Sequence, residues 1–162
     1  MAQEAYVTDK ESAADGLSNF GDSKPSLAAI SECQQPSDDK SYAVERDGAV
    51  FAGTHVLIDF WGATHLNDID KIERALRNAV DTCGATLLHI HLHEFSTNGG
   101  ISGVAVLAES HISVHTWPEF GFAAFDVFMC GACDPHKAVP VLEHAFEPER
   151  VELTEQMRGR RG

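Results

Sequence analysis

The chain has 162 residues, of which 43% are hydrophobic, and its 25 acidic and 12 basic side chains give a formal net charge of -13. This length accommodates one compact domain with a tail. The acidity argues against nucleic acid or an anionic membrane as a partner, because a negative surface repels phosphate, whereas a small cationic substrate is compatible with it.

The amino-terminal residues show neither the basic start nor the apolar segment of a secretory signal, and no apolar run is long enough to span a bilayer. We therefore expect a soluble cytoplasmic protein without a membrane partner. Four cysteines at irregular spacing do not form a secreted disulfide framework, so reduced thiols are expected. Cys130 and Cys133 form a C-x-x-C pair, but no second pair accompanies them, which argues against a metal or redox site.

Residues 1–50 are rich in Ser, Asp, Glu, Ala and Gln and show no sustained hydrophobic period. This composition predicts a disordered acidic leader, followed by a single domain over residues 51–162. The first strand is predicted over 54–60. A helix then begins at Asn67 or Asp68 and continues through apolar residues at three- and four-residue spacing to Cys83, with Gly84 as its terminating residue.

Four further strands are predicted over 86–93, 104–109, 112–117 and 122–130. Asp134 and Pro135 have the residue types of a helix start, which predicts a helix to about Phe146 with a kink at Pro140. The last residues allow another strand with a loose basic end. These elements predict an α+β fold, a two-layer sandwich of a mainly antiparallel sheet covered by helices.

The segment from Glu109 to His115 places a serine hydroxyl, the peptide bond before it and two imidazoles within a few residues. A serine hydroxyl attacks the carbonyl of the preceding residue when the peptide is held out of its relaxed geometry and the oxyanion is stabilised. Histidine suits the accompanying proton transfers near neutral pH. The segment therefore predicts a chain that cleaves itself between Glu109 and Ser110.

Together with Gly100-Ile101-Ser102-Gly103 and the stretch from Phe125 to Gly131, this segment resembles the bacterial S-adenosylmethionine decarboxylase proenzymes, over about His55 to Phe146. The resemblance implies self-cleavage into a β chain of residues 1–109 and an α chain of residues 110–162. It also implies that Ser110 becomes a pyruvoyl group, whose ketone binds the substrate amine as a Schiff base and accepts the electron pair left by carbon dioxide.

The implied enzyme converts S-adenosylmethionine to the aminopropyl donor for spermidine synthesis. It is expected to be a homodimer of αβ protomers in which both protomers contribute to each active site, and no metal is expected.

The resemblance also assigns roles to other side chains. Ser102 polarises a carbonyl during processing, His115 removes the α-proton, and Cys130 protonates the product carbanion. Phe95 stacks on adenine and Glu119 holds the ribose hydroxyls. The segment from Phe95 to Ser102 is one residue longer than the commonest family spacing, and Met129 stands where many members carry Thr.

Strand alternation raises a difficulty, because it places His111 and His115 on one face of a strand and Ser110 on the other. A bend at the start of that strand is required if Ser110 and His115 are to meet.

Two alternatives stay open at this point. The same machinery could serve arginine or ornithine, although Phe95 and Glu119 favour a nucleoside. The protein could instead be an uncut relative that binds zinc through the alternating His89, His91 and His93.

Overall fold

The computed structural model describes residues 43–46 and 48–161. Most of the predicted acidic leader therefore lies outside the described residues. The end of that segment forms a hairpin of strands β1 (Val44–Arg46) and β2 (Ala49–Phe51). Arg46 forms an ion pair with Glu155 and Phe51 is buried, so strand structure begins before the predicted boundary at residue 51. These long-range contacts leave no signal in local composition.

A six-stranded antiparallel sheet forms the centre of the domain, in the order β4-β5-β6-β7-β3-β8. Its strands are β3 (Gly53–Trp61), β4 (Leu87–Glu94), β5 (Ile101–Leu107), β6 (Ser110–Trp117), β7 (Phe122–Cys130) and β8 (Arg150–Arg158). Side chains alternate between the two faces, so one face of β3 and β7 is buried, and the same face of β6 is buried from Ile112 to Thr116.

Two helices cover that buried face, α1 (Ile69–Cys83) and α2 (Ala138–Phe146). The side chain of Asp68 accepts a hydrogen bond from the backbone amide of Lys71, which caps α1 as predicted. Gly84 ends the helix in the left-handed conformation, with φ of 74°. The predicted α+β arrangement of an antiparallel sheet covered by helices is confirmed.

Two predictions about the end of the chain need correction. Pro140 causes no mid-helix break, because α2 begins at Ala138 and Pro140 lies in its first turn, where backbone amides have no partner within the helix. A short 3₁₀ turn, Pro135–Lys137, precedes α2. The basic end is not loose as far as Arg161, whose amide donates to the carbonyl of Val50 at 2.9 Å.

The second face of the sheet, which we call the open face, is covered by neither helix. It carries Leu57, Trp61, Val106 and Trp117, each between 36% and 39% exposed. Large apolar side chains that share an uncovered sheet face are typical of a surface that another layer covers.

Among the described residues, no helix combines the length and the apolar character needed to cross a membrane.

Candidate active site

The turn between β5 and β6 consists of Ala108 and Glu109, and Ser110 is the first residue of β6. The main-chain carbonyl of Glu109 accepts a hydrogen bond from the amide of Cys130 at 3.3 Å. Its carboxylate accepts from the amide of Thr86 at 2.9 Å and lies 3.2 Å from the Thr86 hydroxyl. The residue before Ser110 is therefore held at both its carbonyl and its side chain. We call Thr86, Glu109, Ser110, His111 and Cys130 the turn cluster.

The hydroxyl of Ser110 lies 3.4 Å from Nδ1 of His111. The His111 ring packs against Phe128, with centroids 5.9 Å apart, and faces His55 at 6.3 Å. Burial and the neighbouring His55 lower the pKa of His111, although Asp126 opposes the shift. His111 is thus kept neutral near pH 7, a state in which one ring nitrogen accepts a proton.

The Cys130 thiol is partly buried at the end of β7, and this burial raises its pKa. A thiol with a raised pKa stays protonated at neutral pH and is able to donate its proton. Gly53 pairs with Cys130 across the sheet, and a Cβ at that position would lie 3.0 Å from the sulfur. The glycine therefore leaves the room that the thiol occupies.

A second group of side chains lies at the opposite end of β5 and β6. Four residues predicted from the resemblance, Phe95, Ser102, His115 and Glu119, line one cleft with a volume of about 580 Å³, which we call the aromatic cleft. Ser102 pairs with His115 across the two strands, and the serine Oγ is 2.7 Å from the imidazole Nδ1. Trp117 also lines the cleft. The structure thus brings all four residues together.

Asn98 orients the carboxylate of the aromatic cleft, a role that the sequence did not suggest. Its side-chain amide donates to Glu119 at 2.9 Å, and its carbonyl oxygen accepts from the backbone amide of Gly100 at 3.1 Å. The Asn-Gly-Gly sequence at 98–100 indicates a turn, but it does not reveal a partner 21 residues away.

The aromatic cleft and the turn cluster do not meet within one chain. Ser110 and His115 are five residues apart on β6, which corresponds to about 16 Å of extended strand. β6 pairs with β7 from Ser110 to Trp117 without a register shift, so the bend required by strand alternation is not present. The only imidazole recorded within hydrogen-bonding reach of the Ser110 hydroxyl among the described residues is that of His111.

His89, His91 and His93 are exposed in a row along β4, an edge strand. The part of the chain that the structure describes contains no group of three or more His, Cys, Asp or Glu side chains arranged to hold a metal ion. The structure therefore gives no support to the zinc alternative.

An antiparallel sheet with helices on one face, carrying a thiol, imidazoles and serine hydroxyls in two clusters, has the residue types of an enzyme. Residues 54–159 match the protein-family model described as S-adenosylmethionine decarboxylase. The chain belongs to this family, and the resemblance noted in the sequence is confirmed.

Individual relatives agree with this assignment. The S-adenosylmethionine decarboxylase proenzyme of Thermomicrobium roseum is 43% identical over 108 residues, which cover 66% of this chain and 93% of the relative. The proenzyme of Methanococcus maripaludis strain C7 is 46% identical over 110 residues, covering 66% and 89%. The crystal structure of the adenosylmethionine decarboxylase from Aquifex aeolicus is 34% identical with a TM-score of 0.59, and the match covers 67% of this chain and 92% of that one.

Proposed function

We infer that this chain is a self-processing enzyme that decarboxylates S-adenosylmethionine to the aminopropyl donor used in spermidine synthesis. Membership of the decarboxylase family supports this function. The observation that carries the self-processing is the turn cluster, in which the carbonyl of Glu109 accepts the Cys130 amide immediately before Ser110. A hydrogen-bond donor at that oxygen polarises the carbonyl and stabilises the oxyanion that forms when a hydroxyl attacks it.

The proposed processing begins with attack of the Ser110 hydroxyl on the carbonyl carbon of Glu109. His111 is the acceptor for the hydroxyl proton, which passes to the departing amide nitrogen as the peptide bond becomes an ester. Loss of the α-proton of residue 110, which we assign to His115 of a second copy of the chain, expels the Glu109 carboxylate and leaves dehydroalanine. Its imine tautomer takes up one water and releases ammonia, so residue 110 ends as a pyruvoyl group.

The topology is compatible with such a cut. The fragment ending at Glu109 would hold β3, β4, β5 and α1, and the fragment beginning at residue 110 would hold β6, β7, β8 and α2. β3 lies between β7 and β8, and β6 pairs with β5, so strands of the two fragments are interleaved in one sheet. The two fragments would therefore stay paired after cleavage.

The turn cluster also fits the decarboxylation step. Ser110 pairs with Met129, the residue before Cys130, so residue 110 and the thiol lie at the same end of neighbouring strands. A ketone at residue 110 would supply an electrophilic carbonyl that takes up the electron pair released with carbon dioxide. The protonated thiol of Cys130 would then deliver a proton to the α-carbon of the substrate.

The aromatic cleft supports a nucleoside as the substrate. Phe95 is 46% exposed at the cleft and offers a ring face to adenine. The Glu119 carboxylate, which accepts a hydrogen bond from Asn98, would also accept hydrogen bonds from ribose hydroxyls. Arginine and ornithine have neither group, so this pair of residues favours S-adenosylmethionine.

We further propose a homodimer, because the turn cluster and the aromatic cleft do not meet within one chain. A two-fold interface through the open face would bring the turn cluster of one protomer to the aromatic cleft of its partner, and by symmetry the reverse. The uncovered apolar side chains on that face support it as the interface.

Intact mass of the purified protein under denaturing conditions tests the function. We expect a fragment ending at Glu109 and a second fragment that begins with a pyruvoyl group. Ser110→Ala should leave the chain whole. The control Ser113→Ala should still be cut, because the Ser113 hydroxyl donates a hydrogen bond to Asp126, outside the turn cluster. Cleavage of Ser110→Ala would refute self-processing. An uncut wild-type chain that contains zinc would point to the metal-binding alternative.

A further inference from the structure

We propose that Thr86 is a positioning residue for self-cleavage, holding Glu109 so that its carbonyl stays in reach of the Ser110 hydroxyl. This inference rests on the proposed function, since it concerns the same peptide bond. Neither the motif around Ser110 nor the family resemblance assigns a role to Thr86.

Thr86 contacts both residues of the β5–β6 turn with three polar atoms. Its carbonyl accepts the amide of Ala108 at 3.0 Å. Its amide donates to Oε2 of Glu109 at 2.9 Å, and its hydroxyl lies 3.2 Å from Oε1. Thr86 alone thus contacts both carboxylate oxygens of Glu109 and the backbone amide of Ala108.

The position of Thr86 is itself fixed by the end of α1. The amide of Gly84 donates to Asp81 and that of Ala85 donates to Val80, which closes the helix end two residues before Thr86. A strand begins directly afterwards, at Leu87. Thr86 therefore connects the end of α1 to the start of β4, and these two elements fix its position.

The second support of Glu109 is anchored to the same helix end. The Glu109 carbonyl accepts the amide of Cys130, and four residues later the amide of Asp134 donates to the carbonyl of Cys83 at 3.3 Å. Glu109 is thus held from two sides by segments that both meet the C-terminus of α1.

This arrangement matters for the first step of cleavage. The attack requires the carbonyl carbon of Glu109 to face a hydroxyl on the next residue, and small changes in the orientation of reacting groups change rates by large factors. The contacts of the Glu109 carboxylate with Thr86 are exposed to solvent, and without them the turn would sample more orientations. Thr86 restricts the turn without touching the reacting atoms.

The test follows cleavage of the full-length chain after cell-free synthesis, with samples taken over time once translation is stopped. Thr86→Val removes the hydroxyl. It keeps the branched shape of the side chain and the main-chain amide and carbonyl of residue 86. We expect cleavage to become about tenfold slower, the size expected for loss of a hydrogen bond to a charged group. Thr86→Ser keeps the hydroxyl and should be cut at close to the wild-type rate.

Thr82→Val is the matched control. Thr82 lies on α1 and its hydroxyl donates to the carbonyl of Asn78, away from the turn. Its cleavage rate should equal that of the wild type. Unfolding midpoints of both valine variants are measured in the Ser110→Ala background, where the chain is expected to stay whole. Equal midpoints would exclude loss of the fold as the cause of slow cleavage.

Two further measurements separate positioning from other roles. Hydroxylamine cleaves an ester, so it reveals chains that have completed the first step. Uncut Thr86→Val chains should contain no extra ester, and hydroxylamine should not restore cutting. The double variant Thr86→Val, Glu109→Ala should be cut no more slowly than Glu109→Ala alone, because the carboxylate that the Thr86 hydroxyl contacts is already absent.

The outcomes distinguish this inference from the proposed function. A wild-type chain that is never cut would overturn both. Normal cutting of the wild type together with wild-type rates in Thr86→Val would overturn the role of Thr86 alone. Accumulation of ester in Thr86→Val, or slow cleavage matched by a lower unfolding midpoint, would also overturn it.

Discussion

If each active site combines the turn cluster of one protomer with the aromatic cleft of its partner, two inactive variants should restore activity to each other. Glu119→Ala damages the aromatic cleft and leaves the turn cluster intact. Cys130→Ala damages the turn cluster and leaves the cleft intact. Neither change removes the Ser110 hydroxyl or His111, so we expect both chains to process, and each variant alone should turn over poorly.

The expected recovery follows from the symmetry of the dimer. With equal expression and random pairing, about half of the dimers contain one chain of each kind. In a mixed dimer, one site joins the intact turn cluster of the Glu119→Ala chain to the intact cleft of the Cys130→Ala chain, and the other site carries both defects. Because half of the dimers are mixed and one of the two sites in each mixed dimer is intact, the mixture should show about 25% of wild-type activity. Mixed dimers isolated through two different tags should reach about 50%.

The assay is release of labelled carbon dioxide from S-adenosylmethionine by the co-expressed and purified pair. A control pair, Phe95→Ala with Glu119→Ala, damages the cleft in both chains and should recover nothing. If isolated mixed dimers of the Glu119→Ala and Cys130→Ala chains are no more active than either variant alone, the shared site is refuted. The chemistry would then have to span about 16 Å within one chain.

Two further predictions concern the turn cluster. Cys130→Ala by itself should be cut at the normal rate yet release carbon dioxide at least about a hundredfold more slowly, as expected for loss of a general acid; normal turnover would exclude Cys130 as the proton donor. His111→Gln should slow self-cleavage about tenfold or more, because a positioned base is lost. Burial lowers the pKa of His111 from 6.5, so its neutral, accepting form persists to lower pH than that of an ordinary histidine. Wild-type cleavage should therefore fall only as the pH drops through this lowered pKa, and the glutamine variant should lack this fall when rates are measured from about pH 5 to 8.

Elements with strong local signals were predicted well from the sequence. The helix α1 carries a capping aspartate at Asp68, a regular apolar stripe and a terminating Gly84, and all three features act within one or two turns. The strands β3 and β7 were placed within a residue or two for the same reason.

Strand β5 was predicted to start at Val104, whereas it starts at Ile101. Ser102 and Gly103 have low strand propensity, and only pairing with β4 reveals that they belong to the sheet. A Cβ at Gly103 would lie 3.0 Å from the Cα of Leu92, so the neighbouring strand requires glycine there. Local propensity does not contain this requirement.

The supporting contacts of the site were beyond sequence reasoning for a related reason. Asn98 meets Glu119 across 21 residues, and Thr86 meets Glu109 across 23. Each pair joins polar side chains from separate loops, and many other pairings of the same residue types are chemically equivalent. Only the register of the sheet selects these two.

The position of His115 relative to Ser110 shows how far strand geometry alone reaches. An odd spacing of five residues places two side chains on opposite faces of a straight strand, whatever their chemistry. A local bend or a second chain would reconcile this spacing with a shared reaction. β6 is paired without a register shift from Ser110 to Trp117, which leaves no room for the bend. The intact pairing of this strand is therefore the strongest structural support for the proposed homodimer, in which a second protomer would complete the site.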